Sequence, residues 1–140
     1  MEDLDRRIVE LLRADGRMSY TDLGKELGMS TSAVHQRVRR LEKRKVITGY
    51  AARVDHGALG TALAAFISIT PIDPAAPDDI PDRLRSLTEI EACHSVAGDE
   101  NYILKVRVAS PHDLEELIAK VRSAANVTTR TTVVLSTPWE

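Results

Sequence analysis

Residues 30–43 read Ser30-Thr31-Ser32-Ala33-Val34-His35-Gln36-Arg37-Val38-Arg39-Arg40-Leu41-Glu42-Lys43, and the spacing of the apolar positions decides the N-terminal fold. Val34, Val38 and Leu41 recur at helical intervals, and Ser30 stands where an N-cap hydroxyl belongs. At about 100° per residue, with Val34 as zero, Val38 falls near 40° and Leu41 near −20°, so the core direction lies at roughly 10°. The opposite side carries Ser32, Gln36, Arg39 and Lys43, with His35 and Arg40 on its flanks. Such a face holds donors and acceptors suited to base edges in a major groove, and cations suited to phosphates. Ser30 and Thr31 at the helix start, together with Arg37, complete the set of candidate DNA-contacting residues.

Working outward, Tyr20-Thr21-Asp22 follows Ser19, and Leu23 and Leu27 lie four apart before Gly28, which predicts a short helix closed by glycine. Upstream, Leu4, Ile8, Leu11 and Leu12 predict a first amphipathic helix with Asp3 or Asp5 near its start and Gly16 past its end. Three helices in about 45 residues, the second and third joined by a short Gly-containing turn, make a helix-turn-helix. Val46 to Asp55 has β-type residues around Gly49, as a wing or short strand would, with Arg53 placed to meet a phosphate or simply the solvent.

Charge supports a local nucleic-acid site. The chain of 140 residues has net charge −2, yet residues 1–60 hold 12 Lys and Arg against 9 Asp and Glu, and residues 61–140 hold 7 against 12. Six basic residues and one acidic one fall within Arg37–Lys45. A basic run also occurs as a plain solvated helix face, and it is the helix-turn-helix setting that favours DNA.

The remainder alternates differently. Leu63–Thr70 reads as a strand stopped by Pro71, and a helix is expected from about Asp79 to Leu87. Ile90–Ala97 and Asn101–Ala109 read as a hairpin about Gly98-Asp99-Glu100. Ser110 or Pro111 opens a helix with Leu114, Leu117, Ile118 and Val121 inside, and Val127–Leu135 closes the set as a strand. The order β, α, β, β, α, β is the ferredoxin-like split unit, with both helices on one face of an antiparallel sheet. The fold class is therefore α+β: an N-terminal winged helix-turn-helix domain over residues 1–50, a linker strand or hinge over 51–61, and a C-terminal ferredoxin-like βαββαβ domain over 62–140. Strands apolar on both sides suggest a homodimer packed sheet to sheet.

Other chemistries lack support. Cys93 is the single cysteine, and beside His94 in a strand it points to the opposite face, so the two do not form a nucleophile and base. The histidines at 35, 56, 94 and 112 lack metal-ligand spacing, and no Gly-rich phosphate loop is present. No cofactor, metal or catalytic residue is expected. The longest uncharged stretch, Gly57–Ile72, is too short for a membrane span, and Met1-Glu2-Asp3 begins no secretion signal, so a cytoplasmic, disulfide-free protein is expected.

The whole chain resembles the Lrp/AsnC family, the feast/famine transcriptional regulators. The resemblance rests on Leu4-Asp5-Arg6-Arg7-Ile8, Asp15-Gly16-Arg17, Leu23-Gly24, Gly28-Met29-Ser30, Val34, Arg37-Val38, Arg40-Leu41-Glu42 and Val46-Ile47-Thr48-Gly49-Tyr50. It continues in Val96-Ala97-Gly98, Tyr102-Ile103-Leu104-Lys105-Val106 and Val127 followed by Thr129, Thr131 and Thr132. It implies a dimer that assembles to tetramers or octamers, binds double-stranded promoter DNA, and responds to an amino acid bound at the hairpin turn and last strand. Carried over by position, the effector residues are Gly98, Asp99, Glu100, Asn101, Tyr102, Thr131 and Thr132. Turn N–H groups would hold a carboxylate, an acidic side chain an ammonium, and Thr hydroxyls the rest. The plainer alternative is a solvated turn and β-favouring threonines. Asn101 departs from the acidic residue usual there, Gly24 stands where Ala is common, and Lys45 stands where Gly usually ends the recognition helix. A second reading is an architectural DNA-binding oligomer without an effector; a third is a regulatory subunit whose helices are only structural, which leaves the basic helix unexplained.

Overall fold

A computed structural model describes all 140 residues, which form two compact units, Met1–Arg53 and Val54–Glu140. The first contains helices α1 (Asp3–Ala14), α2 (Tyr20–Leu27) and α3 (Thr31–Lys43). Their cores meet at Ile8, Leu23, Val34, Val38 and Leu41, all essentially fully buried. Each such side chain contributes about 1.5–3 kcal/mol by leaving water, and the amphipathic spacing of the sequence supplies one stripe per helix. Ser19 and Ser30 cap α2 and α3, accepting from Asp22 N at 3.0 Å and Ala33 N at 3.2 Å. Gly28 ends α2 with φ 66°, in the left-handed region that favours glycine.

After α3 the chain turns, with Val46 N donating to Leu41 O at 3.0 Å, and Ile47 packs on the core. The strand or wing expected over 46–55 does not form: residues 48–55 carry no regular structure. Their β-type side chains have no second strand in this unit to pair with, and an isolated strand leaves its backbone unsatisfied. The segment expected as a linker strand or hinge over 51–61 holds no strand; it is irregular and then a series of turns, closed by Thr61 N to His56 O at 2.9 Å.

The second unit contains β1 (Leu63–Pro71), α4 (Ile80–Leu84), β2 (Ile90–Ser95), β3 (Tyr102–Val108), α5 (Pro111–Ala125) and β4 (Val127–Val133). The sheet order is β2-β3-β1-β4, antiparallel throughout, which is the ferredoxin-like split unit. Ala65, Ile67 and Ile69 of β1 and Tyr102, Leu104, Val106 and Val108 of β3 face α4 and α5 and form the core with Leu114, Leu117 and Val121. α4 is shorter than its expected span and starts with Pro81 in its first turn, while Ser110 caps α5 at 3.1 Å from Asp113 N. The opposite face of the sheet carries Phe66, Ser68, Thr70, Ile103, Lys105, Arg130 and Thr132, and no helix covers it. A β-bulge between Ile90 and Ala92 shifts the edge strand.

Candidate DNA-binding and effector sites

α2 and α3 are joined by the packing of Leu23 on Val34 and Val38, and the turn between them passes close to Gly24. A Cβ there would lie 2.5 Å from the Met29 carbonyl oxygen, so the turn between the helices packs on bare backbone. Met29 N donates back to Gly24 O at 2.9 Å. α3 then presents Thr31, Ser32, His35, Gln36, Arg39, Arg40 and Lys43 to solvent, as the helical spacing required. The His35 ring stands edge-on to Tyr20, with centroids 5.1 Å apart, which steadies it on the flank of the face. Thr31 Oγ1 lies 3.4 Å from Thr21 Oγ1, and Ser30 is occupied as the cap.

Arg37 is the exception. Its Nη1 donates to Glu2 Oε2 at 2.8 Å and Asp5 Oδ1 at 3.1 Å, so the guanidinium turns toward α1 instead of the outer face. The hydrogen bonds it donates to Glu2 and then to Asp5 raise its pKa further above its ordinary value. Of the candidate DNA-contacting residues it is the one turned away from the outer face: α3 at this azimuth faces α1, and Nη1 alone bridges the two carboxylates. Glu2 and Asp5 were not anticipated; the signal was an acidic pair at the start of the first helix and an arginine beside the inner stripe.

In the sheet unit, Glu100 sits at the tip of the β2–β3 turn with its side chain 17% exposed. Its Oε1 accepts from Ser68 Oγ at 3.2 Å and its Oε2 lies 3.8 Å from Arg130 Nη2. A cleft of about 200 Å³ is lined by Ser68, Thr70, Asp99, Glu100, Thr128, Thr129 and Arg130. Of the seven effector residues expected, it gathers only Asp99 and Glu100.

Tyr102 is buried on the helix-covered face, where its hydroxyl donates to Asp78, and this hydrogen bond, with burial and the Asp78 charge, pushes its pKa up to about 12. Thr131 pairs with Ile67 on that same covered face, whereas Thr132 pairs with Phe66 on the open face, so strand alternation separates the two. Asn101 is engaged through its backbone, its N–H donating to Ile69 O and its carbonyl accepting from Val96 N, each at 3.0 Å. That N–H is therefore not free to hold a carboxylate. Gly98 does not line the cleft and is not among the glycines with positive φ. Ser68, Thr70, Thr128 and Arg130 went unanticipated, although a lone Arg among Thr and Val in the last strand was a legible signal.

A basic, polar recognition face on a helix-turn-helix, followed by a ferredoxin-like sheet with a ligand-sized charged cleft, defines a DNA-binding regulator with a small-molecule domain. The model of the AsnC-type helix-turn-helix domain matches residues 1–42, and that of the Lrp/AsnC ligand binding domain matches residues 64–140. The chain belongs to the Lrp/AsnC family of transcriptional regulators. It is 51% identical over 137 residues to the HTH-type transcriptional regulator LrpA of Mycobacterium tuberculosis, covering 98% of this chain and 91% of that protein. It is 36% identical over 140 residues to the leucine-responsive regulatory protein of Escherichia coli, covering 96% and 85% respectively. Among solved structures, M. tuberculosis LrpA superposes with a TM-score of 0.90 at 49% identity, covering 100% of this chain and 96% of that one. A feast or famine regulatory protein from the same organism, complexed with L-methionine, gives 0.97 at 50% identity, covering 99% and 95%. No helix is long and apolar enough to cross a membrane.

Proposed function

We propose that this regulator reads DNA with the outer face of α3 and that a free amino acid, bound in the cleft between the β2–β3 turn and β4, changes its assembly and DNA affinity. One observation carries the effector reading: Glu100 and Arg130, an anion and a cation 3.8 Å apart, both line one cleft of about 200 Å³, where a zwitterion can exchange partners with them. A free α-amino acid carries the complementary pair, with its ammonium toward Glu100 and Asp99 and its carboxylate toward Arg130, and the Ser68 and Thr128 hydroxyls complete the shell. The relative complexed with L-methionine supports that ligand class. Gln36 and Arg39 are the base-reading residues, and Thr31, Ser32, Arg40 and Lys43 meet the backbone. The protein acts by binding, in the cytoplasm, without a metal or cofactor.

The uncovered face of the sheet, where Phe66 is 39% exposed beside Ile103 and Ala64, supports pairing of two copies sheet to sheet. Thermal melting against the twenty amino acids, with mass determination on any that shift the midpoint, tests the proposal. A ligand at about 100 times its Kd stabilises by roughly 2.7 kcal/mol. One amino acid or a related group should raise the midpoint, and Glu100→Gln and Arg130→Met should each abolish the rise. No shift with any of the twenty overturns the effector and leaves an architectural DNA-binding oligomer.

A further inference from the structure

Asp5 is the one buried charged residue of the chain, 5% exposed, and it lies in the first turn of α1. Burying a carboxylate is costly unless it is paired and hydrogen-bonded, and Arg37 supplies the pairing. The same Nη1 reaches Glu2 Oε2, so one guanidinium nitrogen bridges two acidic side chains three residues apart. Glu2 stands at the N-cap of α1 yet makes no side-chain cap, its carboxylate being turned to Arg37 instead. Arg37 side-chain exposure is 21%, while Arg39 and Arg40 on the same helix are exposed.

Packing of Ile8, Val34, Val38 and Leu41 holds α3 against the unit by shape, and the hydrophobic attraction itself has no preferred direction. A charge-assisted hydrogen bond at a fixed azimuth is directional. With side chains reaching about 6 Å from a helix axis, a roll of about 10° moves their polar atoms by about 1 Å. Direct readout of a base edge needs heavy atoms within a few tenths of an ångström of about 2.9 Å, so such a roll breaks it, whereas mobile phosphate contacts adapt.

We propose that the Glu2–Asp5–Arg37 clasp sets the roll of the recognition helix, which makes Arg37 a positioning residue for sequence discrimination without touching DNA. This rests on α3 being the recognition helix. The clasp controls the ratio of affinities for preferred and random sequence, and leaves the phosphate contacts alone.

The experiment uses the full chain. Duplexes selected by the wild-type protein from a random pool serve as preferred DNA, and a scrambled duplex serves as random DNA, each titrated over a range of salt. Arg37→Met, Glu2→Gln and Asp5→Asn are compared with Arg37→Lys, with melting and circular dichroism recorded for each. Glu2→Gln is at an exposed carboxylate and leaves the core intact, so the test survives if Arg37→Met does not fold. The expected result is a fall of tenfold or more in the preferred-to-random ratio for Arg37→Met, a smaller fall for Glu2→Gln and Asp5→Asn, and partial rescue by Arg37→Lys. Random-duplex affinity and the salt slope should stay at wild-type values.

An unchanged ratio in folded clasp variants overturns the proposal. So does a salt slope lowered by about one in Arg37→Met, which would make Arg37 a phosphate contact. Gln36→Ala and Arg39→Ala separate the two levels. If neither lowers the ratio, the recognition-helix reading fails and the clasp proposal with it. If they lower it and the clasp variants do not, the clasp proposal alone fails.

Discussion

The hydroxyl of Tyr102, at the first position of β3, donates to the carboxylate of Asp78 in the loop that leads into α4. This one bond ties the start of a central strand to a loop rich in proline and aspartate. It also keeps the phenol neutral, with a pKa raised to about 12 against about 10 in an unfolded chain. Between those values the unfolded chain binds fewer protons than the native one, so stability falls as pH rises. The contribution is whole below about pH 10 and is lost toward pH 12. Urea unfolding of wild type and Tyr102→Phe at pH 8, 10 and 11.5 should show a shallower decline in the variant. Some decline remains, because Tyr50 is also raised to about 12, by burial first and then by the charge of Glu42.

Lys45 adopts φ 60° just past the end of α3, in the left-handed region that costs an L side chain about 1 kcal/mol or more. Gly accepts this conformation without strain. Lys45→Gly should therefore raise stability by up to about 1 kcal/mol after its unfolded-state entropy is counted, visible as a higher melting midpoint. The same variant should bind DNA with a weaker salt dependence if the ammonium neutralises a phosphate.

The hydroxyl of Ser30 accepts from Ala33 N at 3.2 Å, and it lies 3.4 Å from Ser32 Oγ. Ser30→Ala should cost about 1 kcal/mol of stability, and Ser30→Asp should restore it, since aspartate caps as well as serine. Chemical denaturation reads both. Loss of DNA affinity in Ser30→Ala without loss of stability would instead make the hydroxyl a DNA contact.

Along the outer face of α3, Gln36, Arg39 and Lys43 are exposed and unpaired by any salt bridge in the fold. Gln36→Ala and Arg39→Ala should each cost about 1–3 kcal/mol on preferred duplex and little on random duplex, whereas Lys43→Ala should weaken both alike and lower the salt slope by about one. Equal losses on both duplexes for every variant would remove the assignment of base readout.

Periodicity made the element order legible, because Val34, Val38 and Leu41 or alternating Ile67 and Ile69 announce one buried face each. Caps were equally legible: Ser19, Ser30 and Ser110 each accept from the residue three on. What sequence could not place was anything decided between strands far apart in the chain. Ser68, Glu100 and Arg130 become neighbours only through the order β3-β1-β4, and Tyr102 leaves the cleft only because its register with Ile69 turns it inward. Arg37 illustrates the same limit on a helix. Its azimuth beside the inner stripe was readable, but its pairing needed the position of Asp5 on another helix. The unformed strand over 46–55 is the converse case, where local propensity found no partner.

β1 is hydrogen-bonded along both edges, to β3 and to β4, over nearly its whole length. Its amides can trade their protons for solvent deuterium only when the whole sheet opens. The three-helix unit rests on a core of five buried side chains, against fourteen for the sheet unit. Amides of α2 and α3 should thus exchange first, by local opening, and those of Ile67 and Leu104 last. A bound duplex should slow the first group and leave the second untouched, so a deuterium-labelling time course reports which half of the molecule a ligand has found.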